Sequence, residues 1–502
     1  MARESIGAIK MESGEIIREE GRVMEIIGES YSTLYAEEED TAEIRQKRET
    51  TLELIDRRLT AEQKSSLDEE PSEELIEEVV RSLPKDKSPG CDGVIAEVLL
   101  AGWEFMCQDC YKMVRQVWRL GRILRRDNRG VIKLIPKAED LELLKNWRPI
   151  TLLTLTYKII AKVIAWRLKS MLGGIIDQQQ SGFIAGRSIV DNILSLRMAQ
   201  DWVMESEQEA MFVRLDFQKA YDRVSHPYLW DTLAALGMSE ANIRRIRGLV
   251  TGGSAQVHVN GGFTHRFEVQ RGVRQGCPLA PLLFAMTTQP LMRLLREEES
   301  QGRILGVTYG GESTLLHQIY ADDTGINITM CEEQFTRLRL VIHDFEGISG
   351  AKLNLNKSLI MPIRPINPPA WVQESGCEIA GAGRGFRYLG ISTSHPVEEA
   401  QLMSVGLHAK GLEELEKLCR QFLWGWNDEG SPKASVIAWE RLSQCKDMGG
   451  LGWTQIKVKA QVQYIKNVLK VVKGDATEWV SLAKNLILRT LRKGKYQRER
   501  RQ

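Results

Sequence analysis

Gln318-Ile319-Tyr320-Ala321-Asp322-Asp323-Thr324-Gly325-Ile326-Asn327-Ile328 is an apolar run broken by two adjacent acids and a glycine. Alternating apolar residues on both sides of Asp-Thr-Gly predict two strands joined by a tight hairpin. Two carboxylates at such a tip repel each other unless a cation lies between them. Hard divalent ions such as Mg²⁺ take carboxylate oxygens, and a pair of such ions serves displacement at phosphorus. An ordinary exposed turn, in which Asp accepts from backbone N–H groups, explains the tetrapeptide Tyr320–Asp323 equally well when it is taken alone.

A second acid-bearing stretch shifts the balance. Met211-Phe212-Val213-Arg214-Leu215-Asp216-Phe217-Gln218-Lys219-Ala220-Tyr221-Asp222 opens as an apolar, β-prone strand and runs directly into Asp216. A carboxylate at the end of a buried strand is aimed with little freedom, as a metal ligand must be. The alternative for Asp216 is a helix N-cap, since Gln-Lys-Ala-Tyr could open a helix.

Composition sets the outer limits. A chain of 502 residues is long enough for several cores. With 27% charged and 43% hydrophobic residues it has the balance of an ordinary soluble globular protein. No uninterrupted apolar span predicts a transmembrane helix, and the opening Met1-Ala2-Arg3-Glu4-Ser5 lacks the apolar core of a secretory signal. The eight cysteines are scattered, which points to reduced intracellular thiols rather than a disulfide framework. Cys107 and Cys110 form a CxxC with no second pair and no His nearby, so packing inside a helix among Trp103, Phe105, Met106, Tyr111 and Val114 is expected over zinc.

The net charge of +1 hides a polarity. Residues 1–80 carry 10 Lys and Arg against 23 Asp and Glu, a net of −13, and the other 422 carry 58 against 44, a net of +14. An acidic leader is thus attached to a basic body of the kind that tracks phosphate backbones. Residues 1–80 read as helical, 81 to about 205 as mixed loops and helices, and about 206 to 395 as strand-rich with a helical insert near 229–250. Helical spacing returns after 400, as in Leu412–Cys419.

Further motifs follow in order: Ser88-Pro89-Gly90-Cys91-Asp92-Gly93, Ile135-Pro136-Lys137, Asn146-Trp147-Arg148-Pro149-Ile150 and Gln180-Ser181-Gly182-Phe183-Ile184-Ala185-Gly186-Arg187. Between the two acid-bearing strands lies Arg271-Gly272-Val273-Arg274-Gln275-Gly276-Cys277-Pro278-Leu279-Ala280-Pro281. After the acid pair come Ser349 to Ser358 and Phe386-Arg387-Tyr388-Leu389-Gly390-Ile391. The series resembles the reverse transcriptase of non-LTR (LINE-type) retrotransposons over roughly residues 85–460. Phe422-Leu423-Trp424-Gly425 and Gly449-Gly450-Leu451-Gly452 resemble its plant-like branch.

The resemblance implies an α+β, right-hand polymerase. Its parts would be a connector-like acidic extension (1–80), fingers (81–205), an antiparallel-sheet palm (206–400) and a helical thumb-like region with a basic tail (401–502). It implies RNA-directed DNA polymerase activity that extends a DNA primer 3′-hydroxyl with dNTPs on an RNA template. Asp216, Asp322 and Asp323 match the acids that hold two Mg²⁺ ions, with Mn²⁺ as a substitute and the Phe217 carbonyl as an extra ligand. Lys137 and Arg148 match the triphosphate clamp, Gln275 and Gly276 the loop that supports nucleotide and templating base, and Tyr221 the ring that excludes a ribose 2′-OH. Lys357 matches a lysine that protonates pyrophosphate, with Lys352 as a weaker match. Phe386, Tyr388, Leu389 and Gly390 match the segment that grips the primer terminus, and Arg187 matches a template-phosphate contact.

The implied partners are an RNA template, a DNA primer, the RNA–DNA duplex and dNTPs, with no membrane. The implied location is intracellular, with target-site insertion in the nucleus. Ala280 stands where many relatives have Ser. No endonuclease, RNase H set of acids or terminal Cys/His cluster is legible, as expected of a fragment of a mobile element. A non-catalytic nucleic-acid-binding remnant and a group II intron maturase-like protein are the rival readings, and the intact acid trio and the Asn146–Ile150 and Ser181–Arg187 stretches disfavour them.

Overall fold

The computed structural model describes residues 5–393 except 138–139, 310–312, 365–366, 381–385 and 390, together with 470–471, 477 and 479–485. Two five-stranded sheets are present, and one takes two of its strands from 129–153, in the stretch expected to mix loops and helices. In chain order their strands are β1 (Arg129–Pro136), β2 (Trp147–Leu153), β3 (Ala210–Leu215), β4 (Gly253–Val259), β5 (Gly262–Phe263), β6 (Phe267–Val269), β7 (His317–Tyr320), β8 (Asp323–Thr329), β9 (Leu359–Pro362) and β10 (Glu378–Ile379). The chain divides into two compact units. The first takes Met1–Arg187, Leu215–Ile304 and Thr336–Asn354, and the second takes Ser188–Arg214, Leu305–Phe335 and Leu355–Gln502.

In the first unit the sheet runs β2-β1-β4-β5, with β6 also paired to β4. β1 and β2 form an antiparallel pair in which Ile135 faces Arg148 and Pro136 faces Trp147, while β1 and β4 run parallel. Strand β4 alternates buried and half-buried residues, the mark of a sheet with one face on a core. Helix α1 (Glu20–Leu34) covers that face: Val23, Ile27 and Tyr31 share a core with Ile132, Val257 and Phe267. A larger core joins Ile76 and Val79 to Val114 of α2 (Trp103–Leu120), to Ile160 and Val163 of α3 (Leu155–Lys169) and to Leu233. Full burial of each such side chain is worth about 1.5–3 kcal/mol. Local chemistry sets the helix ends. The Thr154 hydroxyl accepts from Tyr157 N to start α3, and Gly121 at φ +64° closes α2 in the left-handed conformation that glycine adopts freely.

Two expectations are refined here. The acidic leader packs into both cores of this unit, so its helices are part of the unit's structure. In α2, Cys110, Trp103, Tyr111 and Val114 are buried as expected, but Phe105 is 87% exposed and Met106 is also exposed, because they fall on the helix face turned from the core. The helical insert is present as His226–Ala235 and Glu240–Val250.

In the second unit the sheet order is β7-β8-β3-β9-β10. Central β3 is buried at five of its six residues, as a strand covered on both faces must be. Leu196 and Val203 of α4 (Ile189–Ser206) pack with Phe212, Val307, Met361 and Tyr388. Most of the expected thumb-like region, including Trp424, Trp426, Trp439, Trp453 and the Arg489–Arg501 end, lies outside the described residues; within its described part, Trp479 and Val480 pack with Val190 and Leu194 of α4.

Candidate active site

The acid pair sits on a hairpin, as its sequence predicts, but the turn is earlier. β7 and β8 pair antiparallel with Tyr320 opposite Asp323, so Ala321 and Asp322 form a two-residue loop. Ala321 supplies the positive φ, +57°, that such loops demand. The Asp-Thr-Gly expected at the tip belongs to β8 instead. Gly325 is needed there because a Cβ would lie 2.6 Å from the Phe212 ring. Asp322 and Asp323 are both exposed.

Asp216 follows the last residue of β3 and is half-buried. It is no N-cap, since the next helix begins at Ala220 and Lys219 precedes it. Its carbonyl accepts from Asn354 N at 2.8 Å, Phe217 bridges Leu353, and Gln218 N donates to Lys352 O at 2.8 Å. Lys352, Leu353 and Asn354 of the Ser349–Ser358 motif are therefore laid along the residues that carry the first acid.

The Arg271–Gly276 loop is fixed on two sides within the first unit. Gln275 O accepts from Thr151 N of β2 at 2.7 Å. Gly276 has φ +111°, and a Cβ there would meet Thr151 O at 2.4 Å. Its glycine thus serves a close approach to protein backbone. On the other side Val273 N donates to Tyr221 O at 2.8 Å, and the Gln275 side-chain amide donates to Asp222 Oδ2 at 3.0 Å. Asp222 is fully buried, and its Oδ1 also accepts from the Tyr35 hydroxyl at 2.7 Å. Burial pushes the Asp222 carboxyl up to about 6, against the opposing pull of Tyr35, Lys219 and Gln275. Tyr221 stacks face to face on Phe284 with centroids 4.3 Å apart.

Lys137 and Arg148 are both exposed on the β1–β2 hairpin, where Lys137 N donates to Asn146 O. In the second unit Lys357 is exposed and its carbonyl accepts from the Arg214 guanidinium. Two expected contacts are corrected. The Arg187 guanidinium donates to the carbonyls of Asp177, Gln180, Gly173 and Ile176, so it closes its own loop instead of reaching for template phosphate. Tyr388 is fully buried with its ring edge-on to Phe212, which removes it as a primer contact. Leu389 is half-buried at φ +50°, and the side chain of Phe386 and all of Gly390 lie outside the described residues.

Sequence reasoning gave no role to Asp222, Thr151 or Tyr35. Asp222, next to Arg223 in a four-residue helix, offered little signal, and Thr151 and Tyr35 offered none. Among the described residues no group of three or more His, Cys, Asp or Glu side chains is assembled to hold a metal ion. Asp216 belongs to the first unit and the Asp322–Asp323 pair to the second.

The family model for reverse transcriptase (RNA-dependent DNA polymerase) matches residues 135–393, which include all three acids, the Gln275 loop and the Arg148 hairpin strand. The chain belongs to this family. The chain is similar to the transposon TX1 uncharacterized 149 kDa protein of Xenopus laevis, at 31% identity over 332 residues, covering 64% of this chain and 24% of that protein. It is also similar to two retrovirus-related Pol polyproteins. One, from the type-2 retrotransposable element R2DM of Drosophila melanogaster, is 27% identical over 46% of this chain and 21% of the relative. The other, from the type-1 element R2 of Popillia japonica, is 28% identical over 46% of this chain and 31% of the relative. The chain thus spans less than a third of the length of each of these relatives. These names place it with reverse transcriptases of non-LTR retrotransposons. Among its described residues no helix is long and apolar enough to cross a membrane.

Proposed function

We propose that this reverse transcriptase extends the 3′-hydroxyl of a DNA primer with deoxynucleotides on an RNA template. The observation that carries the reading is the strand order of the second unit's sheet, in which the strand running into Asp216 neighbours the strand that opens on Asp323. Asp216, Asp322 and Asp323 would hold two Mg²⁺ ions. They offer carboxylate oxygens only, the donor set this ion favours, and Mn²⁺ suits the same donors. When bound, such a pair lowers the pKa of an attacking hydroxyl and neutralises a triphosphate and its departing pyrophosphate.

The protein's other groups orient and discriminate. Arg148, with its forked donors, and Lys137, a point charge, would bind triphosphate oxygens from the exposed end of one hairpin. Gln275, tied to β2 through its backbone and to Asp222 through its amide, would support the base pair being formed. Tyr221, stacked on Phe284, would set its bulk against a ribose 2′-OH. Lys357 would deliver a proton to pyrophosphate. Priming on chromosomal DNA would place this work in the nucleus.

The test is primer extension on poly(A) with oligo(dT), dTTP and Mg²⁺. Extension by the wild type that falls at least about a thousandfold in Asp322→Asn supports the reading, since a lost ligand removes several kcal/mol of charge stabilisation. Tight RNA binding without any extension overturns it in favour of a non-catalytic remnant.

A further inference from the structure

We infer that the segment Leu34–Glu38, at the end of α1, is a clasp that positions the nucleotide-supporting loop, with Tyr35 acting on Gln275 through Asp222. This rests on the polymerase reading above, in which Gln275 serves the incoming nucleotide.

The segment makes five direct contacts with Arg271 of the loop, with Gln270 beside it and with Arg223, all within the first unit. Gln270 N donates to Tyr35 O at 2.9 Å. Glu37 N donates to Gln270 Oε1 at 3.2 Å. Arg271 Nε donates to Leu34 O at 2.6 Å. Glu38 forms ion pairs with Arg271 and with Arg223, the latter at 2.8 Å. The relay adds to these five: the Tyr35 hydroxyl on one oxygen of Asp222 and the Gln275 amide on the other.

The relay has directional consequences. Asp222 has no exposed surface, so no bulk water replaces a lost donor, and a buried acceptor without its donor carries its full desolvation cost. Its two oxygens are rigidly linked, so the hydroxyl on Oδ1 sets where Oδ2 points. Oδ2 in turn holds the Gln275 Nε2, which turns the amide's other atom, Oε1, the opposite way. The backbone carbonyl of the same residue is already held by Thr151 N, leaving the side chain as the adjustable part. Tyr35 itself is locked: it is 2% exposed and stacked on Phe267, with centroids 6.1 Å apart and planes at 13°. Tyr35 is thus a positioning residue supplied by the acidic leader, a part of the chain that precedes the stretch matched by the family model.

Tyr35→Phe removes the hydroxyl and keeps the ring packing. We expect its dTTP KM in poly(A)-directed extension to rise about five- to tenfold, the scale of one ordinary net hydrogen bond, with kcat within about twofold. Amide hydrogen exchange of the full chain should speed up at residues 270–276. Thr41→Ala serves as control: it deletes the cap that accepts from Ile44 N at the next helix, costing stability without touching the loop, and its KM should stay at the wild-type value. An unchanged KM and unchanged exchange in Tyr35→Phe, beside an active wild type, overturn the clasp alone, as does an equal KM rise in Thr41→Ala. A wild type that never extends the primer overturns the polymerase reading and this role with it.

Discussion

Gly276→Ala is the sharpest perturbation of the site, because the substitution adds one methyl group at a point where backbone meets backbone. At φ +111° an L side chain is strained by about 1–2 kcal/mol. The new Cβ would stand 2.4 Å from Thr151 O, a backbone atom that cannot rotate away, and overpacking of this kind costs about 1–3 kcal/mol. Alanine returns about 0.5–1 kcal/mol by stiffening the unfolded chain. The net loss is about 2–4 kcal/mol, a large part of the roughly 5–15 kcal/mol that holds a domain folded. The cheapest relief is for the loop to move off β2, which breaks the 2.7 Å bond from Thr151 N to Gln275 O and carries Gln275 out of place. Two readouts should therefore move together. The urea midpoint should fall by about 1 M, taking m as about 2–3 kcal/mol/M, and the dTTP KM should rise several-fold in the molecules still folded. Gly302→Ala separates strain from crowding. Gly302 has φ +67° with nothing within 4 Å of its Cβ position, so alanine there should cost only about 1 kcal/mol and leave KM alone. A Gly276→Ala protein with the wild-type midpoint and the wild-type KM would refute the close-packing argument.

Tyr221→Ala should admit ribonucleotides, measured as the ratio of UTP to dTTP incorporation on poly(A); an unchanged ratio removes the sugar-gate role. Glu298→Gln should be destabilising near neutral pH and flatten the acid limb of the stability curve. Arg303 and Arg337 each donate to the buried Glu298 carboxylate through two nitrogens and hold it down to about 2 from its ordinary 4.5. A depressed carboxyl stabilises above its unfolded value and loses that contribution as pH falls, so the wild type should shed about 2–3 kcal/mol between pH 5 and 2, allowing for the exposed arginines, and the variant should not. Arg187→Gln should cost about 2–3 kcal/mol in urea unfolding by freeing carbonyls of the 173–187 turn, while RNA affinity at fixed salt stays within twofold; a selective loss of RNA binding would restore its template role.

The strands were legible where local pattern decides them. Alternation around the acid pair marked both β7 and β8, and the apolar run before Asp216 marked β3. The turn was misplaced because glycine is the ordinary source of positive φ, whereas here Ala321 takes it. Gly325 is spent on making room for Phe212 and, at 3.1 Å, the Tyr388 hydroxyl. Arg187 illustrates a different limit. A motif position and a positive charge look alike whether the guanidinium faces solvent or is wrapped by four carbonyls, and only the closed loop tells them apart. The Tyr35–Asp222 contact spans 187 positions and the Gln275–Asp222 contact 53, so neither leaves a trace in a local period.

The charge polarity changes meaning once the first unit is in view. Read along the chain, −13 over residues 1–80 and +14 over the remainder suggest an acidic arm beside a nucleic-acid-binding body. In the fold several of those acids face the body's own arginines: Glu38 pairs with Arg223 and Arg271, Asp56 with Arg293, Asp68 with Arg245, and Glu70 with Arg115 and Arg119. Each pair is worth only about 0–1 kcal/mol where it is exposed, so the set does more to seat the leader on the core than to hold the core folded. It also withdraws those arginines from the pool available to phosphate. The bulk excess of positive charge therefore overstates the surface open to a nucleic-acid backbone. That surface has to be counted from cations such as Arg122, Arg125 and Arg244, which are exposed and form no ion pair among the described residues.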